Sequence, residues 1–247
     1  MNPISLKEAE KLLTEIKKNI TKVNKVDIVL CPPFLYLEKL KKNFKKISLG
    51  AQNAFAPSMG AFTGEISAEM LANIGVSYVI LGHSERRDSL YTGGESNADI
   101  NKKIKSVFSA GLIPILCVGE RARDEEHEYL NFVKTQLLES LDGISKNLIS
   151  KIIVAYEPVW AIGANATRSA TPAEFLEMTI FIRKVLSDKF GAKNIESVRI
   201  IYGGSVHPEN ALFFLEDGKA DGFLTGRDSL DAKKFAEIIK TSEYARK

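Results

Sequence analysis

Four places in the chain carry residue types and spacings that could do chemistry. His83 closes the apolar run 78–83 and opens the segment Gly82-His83-Ser84-Glu85-Arg86-Arg87. A neutral imidazole there can donate a hydrogen bond to a substrate oxygen, although an isolated histidine is more often satisfied within its own loop. Glu157 ends the run 152–157, which is otherwise apolar. Burying a carboxylate is costly unless it is paired, and desolvation raises its pKa, which makes it a better base near neutral pH. An ion pair with Arg or Lys across the rim is the competing reading of the same residue. Residues 163–169 follow, small and polar, and read as a mobile loop that could close over a ligand.

The third and fourth places belong together. Tyr202-Gly203-Gly204-Ser205-Val206 and Thr225-Gly226-Arg227 each follow an apolar run. Glycines let backbone N–H groups approach an anion closely, and a helix start adds a favourable dipole. One Gly-Gly-Ser is more often a turn; two such loops, together with Gly163, point to a phosphate. These groups describe one reaction. A carboxylate base removes a proton beside a carbonyl, an imidazole stabilises the enediolate oxygen, and a phosphate anchors a small substrate. That chemistry needs no redox cofactor, and no His/Cys/Asp cluster has metal-ligand spacing.

The elements that must position these residues alternate. Apolar runs at 26–31, 47–52, 78–83, 113–118, 152–157, 198–202 and 222–225 are continuous rather than alternating, as in parallel strands covered on both faces. Helical periods lie between them. Ser5 with Glu8 reads as a capping box before a stripe of Ala9, Leu12, Leu13, Ile16 and Ile20. Thr171-Pro172-Ala173-Glu174 is a stronger start, with a cap, a proline at the first helical position and a reciprocal Glu. Further helices are expected over 33–44, 67–74, 97–110, 125–141, 208–215 and from 231 to 239. Repeated strand–helix units specify a parallel sheet, and about 250 residues is typical of an eightfold β/α barrel. A doubly wound open sheet is the alternative, but Cys31-Pro32-Pro33 is unlike a glycine-rich dinucleotide fingerprint. Seven strand signals stand against eight helix signals, and a closed barrel requires every strand edge to be paired.

Composition narrows the function classes. The 247 residues are 45% hydrophobic and 26% charged, with a net charge of +3 and no basic block that would track a nucleic-acid backbone. No apolar stretch reaches the length of a membrane span, and the first residues show no signal-peptide pattern. Cys31 and Cys117 each lie inside apolar runs and read as buried thiols. Such thiols suit a reducing compartment, so a cytoplasmic protein is expected.

The sequence closely resembles the triosephosphate isomerase family. The similarity runs from Ser5 to about Lys240. Its most specific motifs are Ala51-Gln52-Asn53, Gly60-Ala61-Phe62-Thr63-Gly64-Glu65, residues 82–87, Ile115-Leu116-Cys117-Val118-Gly119-Glu120, residues 156–163 and residues 202–206. The resemblance implies a single-domain (β/α)8 TIM barrel over 1–247. It implies interconversion of dihydroxyacetone phosphate and glyceraldehyde 3-phosphate in glycolysis and gluconeogenesis, without cofactor. It assigns Glu157 as the proton-shuttling base, His83 as the electrophile and Glu85 as a supporting carboxylate. It places Gly163, Ser205, Gly226 and Arg227 where backbone amides hold the phosphate. Residues 52–65 match the loop that family members insert into a partner subunit, which implies a homodimer.

The chain departs from the family pattern in several places. The family's first strand ends in Asn-any-Lys, and Met1-Asn2-Pro3 aligns just after that lysine. The expectation is therefore a chain without the first strand or its cation, and strongly impaired as it stands. The mobile loop is about two residues longer than usual, with Arg168 in place of the loop's lysine. Arg227 replaces a second glycine, and residues 88–93 look expanded, with no role assigned. Another phosphosugar reaction on the same barrel, or a barrel that binds a phosphometabolite without turning it over, are the alternative functions.

Overall fold

The computed structural model describes residues 1–44, 47–88, 93–163, 166 and 168–246. Six parallel strands form one sheet: β1 (Val29–Leu30), β2 (Ser48–Ala51), β3 (Tyr78–Leu81), β4 (Ile113–Val118), β5 (Ile153–Tyr156) and β6 (Arg199–Tyr202). They pair in strict sequence order, β1 to β6, each with the next. The main helices are α1 (Leu6–Asn19), α2 (Phe34–Asn43), α3 (Ala68–Asn73), α5 (Asn97–Ser109), α6 (Glu128–Ser140), α8 (Pro172–Phe190), α10 (Pro208–Glu216) and α11 (Ala232–Ala245). Three one-turn helices were not foreseen: α4 (Ser84–Arg87), α7 (Lys146–Ile149) and α9 (Ala192–Ile195).

Continuous apolar strands follow from two buried faces. Ile80, Ile115, Cys117, Ile153, Ala155 and Ile201 pack on one another as one cluster inside the curved sheet. The intervening residues, among them Val79, Leu81, Leu116, Val154, Tyr156, Ile200 and Tyr202, belong to the larger core shared with the helices. Period two therefore splits each strand between two apolar environments. The helix-side core includes an aromatic stack, with Tyr202 and Phe214 rings 4.0 Å apart at 11°.

Helix caps are as the sequence indicates, with one difference. Thr171 and Glu174 form the reciprocal box that opens α8. At α1, Ser5 accepts from the Glu8 amide, but the Glu8 carboxylate reaches the amide of Ile4 rather than that of Ser5. The helix expected from 125 begins at Glu128, because Asp124 caps it by accepting from the amides of Glu128 and Tyr129.

Two strand signals shrink far more than the others. The run 26–31 contributes only Val29–Leu30, and Cys31 beyond it is half-buried rather than fully buried. The run 222–225 makes one parallel bridge, Phe223 with Tyr202. Among the described residues no strand precedes α1. The first and last helices of the chain pack together. Leu12 and Ile16 of α1 pack on Ala232 and Ile239 of α11. Glu243 of α11 accepts from the amides of Asn24 and Lys25, and Arg199 pairs with Asp27 at 2.9 Å. No helix among the described residues is long and apolar enough to cross a membrane.

Candidate active site

Glu157 follows β5 in the inward register set by Ile153 and Ala155, so its side chain points into the barrel end rather than toward the helices. It is 1% exposed. Its Oε2 accepts from the amide of Ser84 at 3.1 Å. Its Oε1 accepts no hydrogen bond but lies 3.3 Å from His83 Nε2. Burial pushes the carboxyl pKa up from its ordinary value, offset in part by His83, the Ser84 amide and the Cys117 thiol. Cys117 is itself pushed well up by burial, and by the neighbouring carboxylate, so it remains a neutral donor.

His83 reaches this carboxylate because Gly82 turns the chain. Gly82 has φ +70°, a left-handed conformation suited to glycine. His83 then caps α4, its Nδ1 accepting from the Glu85 amide at 3.3 Å. That hydrogen-bond network leaves Nε2 as the ring nitrogen carrying N–H in the neutral ring. Behind the pair sits Arg87. Its guanidinium donates to the carbonyls of Gly82 at 2.7 Å and Cys117 at 3.1 Å and to Asn97 Oδ1 at 2.6 Å, and desolvation lowers its pKa.

Two glycines make room for the base. A Cβ on Gly203 would sit 2.8 Å from Glu157 Cγ. A Cβ on Gly119 would sit 1.8 Å from the Glu157 carbonyl oxygen, so β4 and β5 can converge there only without a side chain. Below the base, Glu120 is 1% exposed. It accepts from Tyr156 Oη at 2.7 Å and Trp160 Nε1 at 2.8 Å. These bonds hold the 3-10 turn Val159–Ala161, which leads to Gly163.

The comparisons with known proteins bear on this geometry. The triosephosphate isomerase family model matches residues 1–242. The chain belongs to the triosephosphate isomerase family. A triosephosphate isomerase of Dictyoglomus thermophilum is 43% identical over 237 residues, 95% of this chain and 93% of that protein. One of Caldanaerobacter subterraneus subsp. tengcongensis is 43% identical over 235 residues, 94% and 92%. One of Endomicrobium trichonymphae is 39% identical over 242 residues, 97% and 94%. The chain is thus an isomerase with an α/β TIM fold.

The remaining family positions are distributed as follows. Glu85 contributes its amide to His83, while its carboxylate is 88% exposed and 3.9 Å from His83 Nδ1. Ser205 lies beyond β6, its hydroxyl donating to the Ala161 carbonyl at 2.9 Å. Gly226 and Arg227 open the 3-10 turn Arg227–Leu230 and are both exposed. Gly163 is exposed with φ +74°. Arg168 forks onto Glu174 of α8 at 3.0 and 2.5 Å and lies 4.4 Å over the Trp160 ring. It holds the Glu174 carboxyl at a pKa of about 2. The longer loop expected over 163–169 falls partly on residues 164, 165 and 167, outside the described residues. The expansion over 88–93 does too, since only Asp88 and Gly93 of it are described. Sequence reading missed Arg87, Cys117, Gly119 and Gly203 as supports of the base; all four lie within the family motifs, but their part depends on contacts between different strands.

Proposed function

We propose that this chain interconverts dihydroxyacetone phosphate and D-glyceraldehyde 3-phosphate through an enediolate. One observation carries the reading: a buried glutamate with one bare carboxylate oxygen, 3.3 Å from the Nε2 of an imidazole whose other nitrogen is already occupied. Glu157 Oε1 takes the proton from the carbon beside the carbonyl. The electron pair moves into a new C=C bond, and the carbonyl oxygen becomes the enediolate oxygen, which the His83 Nε2–H stabilises. The proton returns from Glu157 to the neighbouring carbon as the hydroxyl proton moves to the first oxygen, so the carbonyl is transposed and nothing is consumed. A glutamate base beside a neutral imidazole is this family's standard illustration of roles set by environment. The backbone amides of Gly163, Ser205, Gly226 and Arg227 hold the phosphate, which supplies binding energy remote from the reacting carbons. Glu85 supports His83 through its amide.

Turnover of purified protein, followed in both directions, tests the reaction. Glu157→Gln should lower kcat by about 10³-fold. Unchanged activity in that variant would favour another phosphosugar reaction. Tight binding of a phosphorylated hydroxamate mimic of the enediolate, with no turnover by the wild type, would favour a binding barrel.

Three further readings accompany this one. The chain acts in glycolysis and gluconeogenesis in the cytoplasm, where its two free cysteines suit a reducing compartment. It forms a homodimer through residues 52–65, on which Met59 is 86% and Phe62 44% exposed; sedimentation at micromolar concentration measures it. Turnover by this chain is strongly impaired, a reading that rests on a sheet of six strands among the described residues, where an eightfold barrel closes on eight; a kcat equal to that of the related isomerases would refute it.

A further inference from the structure

Beyond β6 the chain runs through Gly203, Gly204 and Ser205 to His207, the residue before α10. Ser205 Oγ donates to Ala161 O at 2.9 Å, which ties this loop to the turn ahead of Gly163. Asn210 Nδ2 donates to Ser205 O at 2.9 Å, and Asn210 Oδ1 accepts from the His207 amide at 2.9 Å. His207 Nδ1 then lies 2.7 Å from Asp228 Oδ2, on the 3-10 turn that Gly226 and Arg227 open. That turn is itself braced by Ser229, whose hydroxyl and amide donate to Gly226 O at 2.6 and 3.0 Å. An unbroken series of hydrogen bonds therefore links the three segments that carry Gly163, Ser205 and Gly226. Its last step, His207 to Asp228, is the one side-chain hydrogen bond among the described residues that joins 203–207 to 225–230.

We propose that the His207–Asp228 pair is a positioning device that sets the spacing of the two terminal loops, and so of the amides that grip the substrate phosphate. The proposal rests on the triose phosphate reading given above. The loops need such a brace because their glycines leave the backbone soft. Asp228 is 8% exposed, and the charged groups facing it are His207 and, at 3.6 Å, Lys234 of α11. A charge-assisted bond of 2.7 Å holds geometry better than a neutral one. The pair is a positioning element and not a phosphate ligand: the His207 nitrogen nearest Asp228 is committed to it, and a carboxylate would repel a phosphate dianion. Phosphate recognition by amides from two loops is lost steeply when one loop shifts relative to the other.

Calorimetric titration with inorganic phosphate reads the nest without requiring turnover, and steady-state kinetics and melting are measured beside it. Asp228→Ala should raise both the phosphate Kd and the KM for glyceraldehyde 3-phosphate by about tenfold, with kcat within about twofold. Asp228→Asn keeps an oxygen acceptor and should recover most of the loss. His207→Ala should resemble Asp228→Ala, and combining the two should add little. If Asp228→Ala does not fold, His207→Ala set against Asp228→Asn gives the same comparison: a loss of about tenfold in the first and little in the second. Phosphate Kd and KM unchanged in folded variants would overturn the proposal, as would a lowered melting temperature with KM flat. A wild type that binds no phosphate would also overturn it. A wild type that binds phosphate but does not isomerise would instead refute the proposed reaction, and the Kd comparison would still decide the role of the pair.

Discussion

Gly203→Ala is a test of what positions the base. The added Cβ would stand 2.8 Å from Glu157 Cγ, 3.4 Å from the Tyr156 carbonyl oxygen and 3.6 Å from Glu157 Oε1. Carbon atoms rest about 3.5–4.0 Å apart, so Cγ must retreat by about 0.8 Å. The two oxygen contacts are ordinary and need no adjustment. The Gly203 backbone is outside the left-handed region, so alanine brings no backbone strain and acts through this contact. The carboxylate cannot follow freely, because the Ser84 amide holds Oε2 at 3.1 Å. Displacement of a reacting group by about 1 Å costs about 10²-fold in rate, or about 2.7 kcal/mol of barrier. We therefore expect kcat to fall by about 10²-fold, with an overpacking cost to stability of about 1–3 kcal/mol. Coupled spectrophotometric assay with glyceraldehyde 3-phosphate, together with urea unfolding, measures both. Gly222→Ala is the control, since its Cβ would meet only Ile201 Cγ2 at 3.4 Å, and its kcat should stay within about twofold. A folded Gly203→Ala protein with kcat within about threefold of wild type would show that this contact does not place the base.

Glu157→Gln should trade activity for stability. Burial raises the folded carboxyl pKa above an unfolded value of about 4.3, so the folded state holds the proton more tightly. Wild-type stability from this group is then full below about pH 4 and lost as pH rises through the raised folded pKa. Glutamine never ionises, so the variant should melt higher than wild type at pH 8 and equally at pH 4; the reverse order would refute the desolvated state of Glu157. The same shift places the acidic limb of the kcat/KM profile above the ordinary carboxylate range, and a limb at about pH 4 would contradict it. Glu120→Ala strips the acceptor from Tyr156, Trp160 and Arg123. It should cost about 3 kcal/mol in urea unfolding, and less than about 1 kcal/mol would mean the network is expendable.

The difference between what the sequence discloses and what it conceals has a physical basis. Strand identity is legible where both faces are buried, because Ile113–Val118 and Ile153–Tyr156 must be apolar at every position. The same rule exposes Glu157, since a carboxylate continuing that register has no reason of packing to be there. Val29–Leu30 and the Phe223 bridge are shorter than their apolar runs because strand length depends on neighbours, and each lies at an edge of the sheet, where pairing is one-sided. The helices α4, α7 and α9 span one turn each, too short for a period of 3.6 to register. Gly203 and Gly119 are legible as glycines but not as the walls of a socket. Their contacts with Glu157 join residues 46 and 38 positions apart, and that proximity exists only once β4, β5 and β6 lie side by side. His207 and Asp228 were invisible for the same reason, although each stands beside a loop read as phosphate-binding. The catalytic groups can thus be read from local pattern, because an ionisable residue in an apolar run is a local anomaly. Whatever fixes them to a fraction of an ångström is made of cross-strand contacts, so variants at those glycines, rather than at the base itself, separate placement from chemistry.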